Sequence, residues 1–105
     1  MPNYQCLQPN GKWAVFSTVV DSFVNGNLTE GECRDDMIYR RNYAPSQVER
    51  GFRIARNEEP ATTPFLEYHF WEKCIKTIRS VHGKRELTKV LKELGVGHDS
   101  EKEGA

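Results

Sequence analysis

The stretch LQPNGKWAVFSTVV, residues 7–20, decides the fold that this sequence predicts. Asn10-Gly11 separates two strand-like runs, and Asn-Gly is the strongest short signal for a β-hairpin because a type I′ turn needs positive φ at both central residues. The second run, residues 13–20, is rich in the β-branched and aromatic residues that strands favour. We therefore predict two antiparallel strands around this turn. The expected cross-strand pairs are Leu7 with Ala14 and Gln5 with Phe16.

The segment that follows, residues 19–27, fits two structures. Asp21-Ser22 fits a turn into a short third strand at Phe23-Val24. The apolar residues of 19–24 also match one face of a helix. We favour the strand.

Local signals predict the first two helices. Thr29 and Glu32 have the spacing of a capping box, which predicts a helix that starts here and runs to about residue 41. A second helix is expected over 46–56, after Ala44-Pro45. Gly51 lies in the middle of this second helix, where glycine costs about 1 kcal/mol relative to alanine.

Two further helices are expected in the second half of the chain. Thr63 is the expected cap of the third, with Pro64 at the first helical position, and Gly83 is its expected end. The fourth is expected over 85–94. Gly95 fits a left-handed cap for it, with Val96 folding back on the last turn.

These elements predict an α+β fold: a small N-terminal antiparallel β-hairpin or meander, within residues 4–24, packed against three to four α-helices. The length of 105 residues fits one domain. We expect a single compact domain over residues 1–97 and a disordered polar tail over 98–105.

Composition narrows the classes of function. The 15 basic and 15 acidic residues give a net charge of zero, which argues against a nucleic-acid binder that depends on a strong overall positive field. The three cysteines are odd in number and form no C-x-x-C pair. The N-terminus has no signal-peptide pattern and no apolar run approaches ~20 residues, so we expect a cytoplasmic protein with reduced thiols and no membrane contact.

The segment EYHFWEKC, residues 67–74, raises the question of a metal site. If it is one regular helix, His69 lies about 140° from Cys74, too far to share an ion with it. Cys74 is then a core residue, whereas His69 and Glu72 share a solvated surface. His82 falls on the apolar stripe of the same helix, and we interpret it as a hydrogen-bonded structural residue.

No motif predicts catalysis. The sequence has no G-x-S-x-G elbow and no phosphate-binding glycine loop, so we expect neither an enzyme nor a cofactor or metal. The adjacent acidic pairs Asp35-Asp36 and Glu58-Glu59 are interpreted as solvated surface charge.

Basic residues form two groups that are candidates for a partner or polyanion surface. The first lies on and before the second helix, and the second spans residues 73–92, where seven basic residues stand against Glu86 alone, a balance of +6. The first group is Arg40, Arg41, Arg50, Arg53 and Arg56. The second group is Lys73, Lys76, Arg79, Lys84, Arg85, Lys89 and Lys92.

The stretch NGKWAVFSTVVDSFVNGNLTEGE, residues 10–32, resembles short proteins of unassigned function carried by bacteriophages and their hosts. In those proteins a hairpin with an aromatic second strand leads into a Leu-Thr-x-x-Glu helix start. The corresponding residues here are Asn10, Gly11, Trp13, Phe16, Leu28, Thr29 and Glu32. The resemblance implies a phage or mobile-element origin and transfers no site.

We therefore expect a small non-enzymatic protein-binding module, a phage-type modulator or inhibitor of a host protein in the host cytoplasm. The alternative is a nucleic-acid-binding accessory factor that uses the basic surfaces of the helical half. Homodimerisation through an exposed sheet edge is a further expectation.

Overall fold

Three antiparallel strands, β1 (Asn3–Leu7), β2 (Trp13–Ser17) and β3 (Ser22–Leu28), form one sheet in the order β1-β2-β3. The computed structural model describes residues 2–96, and the helices that follow the sheet give it the α+β fold predicted from the sequence. Residues 19–27 contribute a strand, as favoured, and that strand is longer than expected. The predicted disordered tail lies outside the described residues.

The sheet has a hydrophobic core on each face. Ala14 and Phe16 of β2 face one core, whereas Trp13 and Val15 face the other, and every residue of β2 is buried. The helices therefore form a layer on each side of the sheet. This two-sided arrangement explains why β2 has a continuous apolar run instead of the alternation expected of a strand with one solvated face.

The predicted hairpin is present, but its predicted register is wrong by one residue. Leu7 lies opposite Trp13, and Gln5 lies opposite Val15. The amide of Gly11 donates to the carbonyl of Gln8 at 3.0 Å, and only Gly11 in this loop has positive φ, at 84°. Pro9 has no N–H to donate to Lys12, as a two-residue loop at Asn10-Gly11 would require; the amide of Gln8 donates to the carbonyl of Lys12 instead, at 2.8 Å, and this closes a three-residue loop with a left-handed glycine.

The first two helices lie largely where the sequence predicts them. Thr29 and Glu32 form the predicted capping box at the start of α1 (Glu30–Asp35), which continues into a π-helical turn, Asp36–Arg40. The next helix, α2, spans Pro45–Ala55. Together they cover the face of the sheet that carries Trp13 and Val15.

The predicted third helix is broken in two. A 3₁₀ helix spans Pro64–His69, Phe70 is extended with φ −99° and ψ 131°, and α3 spans Trp71–His82. Thr63 was predicted to cap the third helix, and it caps the 3₁₀ helix. The break changes the direction of the chain, so residues before and after Phe70 do not share one helical wheel.

The last helix, α4 (Lys84–Glu93), ends as predicted. Gly95 has φ 75°, and the amide of Val96 donates to the carbonyl of Leu91 at 2.9 Å. Val96 is buried. Helices α3 and α4 pack together over the face of the sheet that carries Ala14 and Phe16.

Candidate functional site

The first group of basic residues is engaged in ion pairs. Arg41 Nε lies 2.6 Å from a carboxylate oxygen of Asp36, and Arg40 lies 3.7 Å from the other oxygen. Asn25 donates a further hydrogen bond to Asp36 at 3.3 Å. Asp36 is buried, so its interpretation as solvated surface charge is wrong. The π-helical turn places it beneath the two arginines that follow it in sequence.

Arg50 and Arg53 on α2 share one carboxylate. Their Nε atoms lie 2.6 and 3.1 Å from the two oxygens of Glu59. These hydrogen bonds, from Arg50 first and Arg53 second, lower the pKa of Glu59. The segment 57–64, between α2 and the 3₁₀ helix, thus supplies the charge that neutralises this side of α2.

The remaining arginine of this group, Arg56, pairs with Glu30 of α1. Arg34 bridges Glu30 at 3.0 Å and Glu49 at 2.6 Å. The guanidinium carbons of Arg34 and Arg56 lie 4.9 and 5.4 Å from the ring centroid of Phe52. These four charged residues join α1 to α2 over an aromatic ring, which gives Arg56 a structural contact that the sequence alone does not reveal.

The second group of basic residues differs, because none of its seven members has an ion-pair partner within residues 2–96. Six are exposed, and Lys73 is half-buried with its amine 5.4 Å from the centroid of the Tyr68 ring. We call these seven residues the α3–α4 cations. On α4, Arg85, Lys89 and Lys92 occupy the side opposite the buried Leu87 and Leu91, and Lys84 is the first residue of the helix.

The interpretation of His69 as a surface residue is wrong. Because the chain turns at Phe70, His69 points inward and is only 6% exposed. Its Nδ1 donates to the carbonyl of Gln5 at 2.7 Å, and its ring meets the ring of Tyr4 edge-on at 5.2 Å. His69 and Glu72 line one pocket beside α3, but the His69 ring is buried and hydrogen-bonded and is not a solvated side chain.

The placement of His82 on a buried stripe is also wrong. His82 and its neighbour Val81 are exposed, and the last buried residue of α3 is Ile78. His82 Nε2 donates to the carbonyl of Val20 at 2.9 Å. The hydrogen-bonded structural role is retained, at the turn between β2 and β3.

All three cysteines are free and buried, and the prediction that Cys74 is a core residue is confirmed. Its thiol donates to the carbonyl of Tyr68 at 3.2 Å. Burial raises the pKa of Cys33 to about 12 and raises that of Cys6 well above its ordinary value. Such thiols are poor nucleophiles and poor metal ligands at neutral pH. Within residues 2–96, no group of three His, Cys, Asp or Glu side chains is placed to hold a metal ion.

A cavity of about 270 Å³ lies between β1, α2 and the 3₁₀ helix. Gln5, Tyr43 and His69 supply polar groups to it, and Val48 and Ile54 supply apolar wall. Sequence reasoning missed this cavity because its polar residues are far apart in the chain. The sequence contained one signal of a close approach to helix α2, which is Gly51 in its middle.

His69 provides a test of this geometry through the pH dependence of stability. Burial lowers the pKa of His69 in the folded chain below its ordinary value of 6.5. The hydrogen bond to Gln5 raises this pKa and the charge of Arg50 lowers it, and both effects are smaller than that of burial. The unfolded chain therefore binds more protons below pH 6.5. We expect the free energy of unfolding to fall between about pH 7 and about pH 5, measured by urea denaturation.

Two variants separate His69 from the other histidines. His69→Phe should remove most of this dependence, whereas His82→Ala should retain it. Equal slopes of stability against pH in the wild type and His69→Phe would show that His69 ionises freely in the folded chain.

Two findings apply to the described chain as a whole, beyond any single site. None of its helices combines the length and apolar character that crossing a bilayer requires. No protein-family model, no curated protein and no solved structure matches this chain.

Proposed function

We propose that this chain is a small non-enzymatic protein-binding module whose α3–α4 cations bind an acidic surface of a partner. We further propose that it acts in the cytoplasm as a phage-type modulator or inhibitor of a host protein. The contrast between the two basic groups supports the binding surface.

That contrast carries the proposal. The cations of α2 and the turn before it are all paired with Asp36, Glu59 or Glu30. Within residues 2–96 the α3–α4 cations have no carboxylate partner, so contact with a partner's carboxylates would break no ion pair of the described chain. Charge complementarity of this kind contributes mainly to association rate and specificity.

A nucleic-acid accessory factor is the second candidate, because phosphates would satisfy the same unpaired cations. The aromatic residues next to them favour a protein partner. Tyr68 stacks on Phe16 at 5.2 Å, and Trp71 stacks on Phe23 at 5.3 Å. Both rings already have partners inside the fold, which leaves them unsuited to stacking with unpaired bases.

Two matched variants test the surface. Lys89→Gln/Lys92→Gln and Arg50→Gln/Arg53→Gln remove the same amount of charge from different faces. Fluorescence anisotropy with labelled poly-L-glutamate should show affinity lowered about tenfold or more in the first variant at low salt, and little change in the second. Affinity capture from a host lysate should retain the same protein with the wild type and the second variant, and lose it with the first.

Labelled duplex and single-stranded DNA provide the alternative arm. Tight retention of DNA with a steep salt dependence, together with no specific protein captured, would favour the accessory factor. Equal loss of affinity in both Gln variants would show that the binding depends on net charge and not on the α3–α4 cations.

A further inference from the structure

Beyond the proposed protein contact, we propose that the cavity between β1, α2 and the 3₁₀ helix binds a small, flat, uncharged heterocycle that donates N–H hydrogen bonds, in the size range of a nucleobase. This site is separate from the α3–α4 cations. The hydrogen bonds of two buried side chains and the shape of the cavity define the ligand.

Gln5 presents an acceptor to the cavity. Its Nε2 donates to the carbonyl of Val48 at 2.7 Å, and because a carbonyl only accepts, the orientation of the amide is fixed. Within residues 2–96, no donor to Gln5 Oε1 is present, and no fully buried polar side-chain atom lacks a partner. Oε1 therefore retains access to the cavity that Gln5 lines, although the residue is only 1% exposed.

His69 presents a second acceptor by the same reasoning. The carbonyl of Gln5 takes the Nδ1 hydrogen, so a neutral imidazole carries a lone pair on Nε2. No other group of the described chain donates to Nε2. Gln5 and His69 thus each donate one hydrogen to a backbone carbonyl and keep an acceptor that no donor of the described chain uses, and both residues line the cavity.

Tyr43 adds a donor. Its hydroxyl accepts the amide hydrogen of Asn3 at 2.8 Å, which leaves its own hydrogen to be donated to a ligand acceptor. Two acceptors and one donor from buried side chains match the mixed edge of an amino-substituted heterocycle, and Gln47 and Arg50 add polar groups at more exposed positions of the lining. Buried acceptors would repel an anion, and Arg50, which also lines the cavity, is paired with Glu59, so this wall offers no net charge to a charged ligand.

The size of the cavity limits the ligand. A volume of about 270 Å³ lies near the lower end of the range for small-molecule pockets, about 300–1,000 Å³. The apolar wall, formed by residues such as Met37, Val48 and Ile54, suits a flat ring. Water alone is the competing occupant, since several molecules would fit and could satisfy the same acceptors.

The test is a titration of ¹⁵N-labelled protein with adenine, followed by the resonances of the Gln5 side-chain amide and the His69 ring. N6,N6-dimethyladenine is the control for the exocyclic donors, and benzoate and benzamidine are the charged controls. We expect saturable shifts with adenine, affinity lowered about tenfold for the dimethylated probe, and weaker binding of both charged probes.

Variants localise the binding. Gln5→Met should weaken adenine binding about tenfold, and His82→Phe should leave it unchanged. Leu66→Trp, at a half-buried position in the lining, should block binding while it leaves the hydrogen bonds of Gln5 and His69 in place. Retained resonances of the opposite core, such as those of Ile78 and Leu91, would establish that each variant is folded.

Three results would overturn the proposal: no saturable shift with adenine at millimolar concentration, equal affinity for adenine and its dimethylated form, or tighter binding of benzoate or benzamidine. None of these three results depends on the α3–α4 cations. The ligand site and the proposed protein contact can therefore be rejected independently of each other.

Discussion

Replacing Phe52 with alanine is expected to lower the free energy of unfolding by about 3–5 kcal/mol, the range for truncation of a buried phenylalanine. Phe52 is fully buried, and its ring meets that of Trp13 edge-on at 4.7 Å. The guanidinium groups of Arg34 and Arg56 lie over the same ring. Truncation would therefore leave a cavity and also remove the surface on which the α1–α2 ion pairs rest, which favours the upper end of the range.

Urea denaturation monitored by tryptophan fluorescence and circular dichroism measures this loss. A domain of this size has a total stability of about 5–15 kcal/mol, so we expect a measurable part of the variant population to be unfolded without denaturant if the wild type lies at the lower end of that range. The matched control is Phe65→Ala, because Phe65 is 66% exposed. Its effect should stay within about 0.5 kcal/mol. A loss at Phe52 as small as that at Phe65 would contradict the packing described for α2.

Replacing Gly51 with alanine is expected to destabilise the protein by up to about 2 kcal/mol, against the usual benefit of alanine in a helix. Helix propensity favours alanine by about 1 kcal/mol. A Cβ atom at position 51 would, however, lie 2.7 Å from both Gln5 Nε2 and His69 Cε1. Both side chains are buried and hydrogen-bonded, so neither can move away freely, and overpacking costs about 1–3 kcal/mol.

The control for this substitution is Gly31→Ala. Gly31 lies in α1, and a Cβ atom there would meet nothing within 4 Å. The same change should therefore raise stability by up to about 1 kcal/mol. Opposite signs at the two positions, measured by thermal and urea denaturation, are the expected result. A gain at both would mean that α2 does not approach β1 as closely as described.

The elements that the sequence predicts correctly are those specified by neighbouring residues. The capping box at Thr29 needs only Glu32, three positions away, and the end of α4 needs only Gly95 and Val96. Their hydrogen bonds join residues that are three to five positions apart. Local pattern is sufficient for such features because no distant contact has to be known.

The errors arise where a distant contact or a single neighbour overrides the pattern. Pro9 changes the turn type and with it the register of the whole hairpin. The break at Phe70 could not be predicted from the sequence, because no proline or glycine lies at this position. It accompanies the hydrogen bond from His69 to Gln5, 64 positions earlier in the chain, and that tertiary contact overrides helical periodicity.

The candidate sites were predictable to different degrees. Charge counting found the α3–α4 cations, but it could not separate them from the arginines of α2, because pairing with Glu59 and Glu30 depends on the folded path of residues 57–64 and on α1. The cavity could not be predicted from local sequence patterns, because Gln5 and Val48, which line it, are 43 positions apart in the chain.

The distribution of the buried thiols gives the chain its own reporters of partial opening. Cys33 belongs to the core beneath α1 and α2, whereas Cys6 and Cys74 belong to the core beneath α3 and α4. Reagents that alkylate sulfur would reach each thiol only when the layer above it lifts from the sheet. Comparing their rates of alkylation would therefore reveal whether the two halves of the sandwich open together or one before the other.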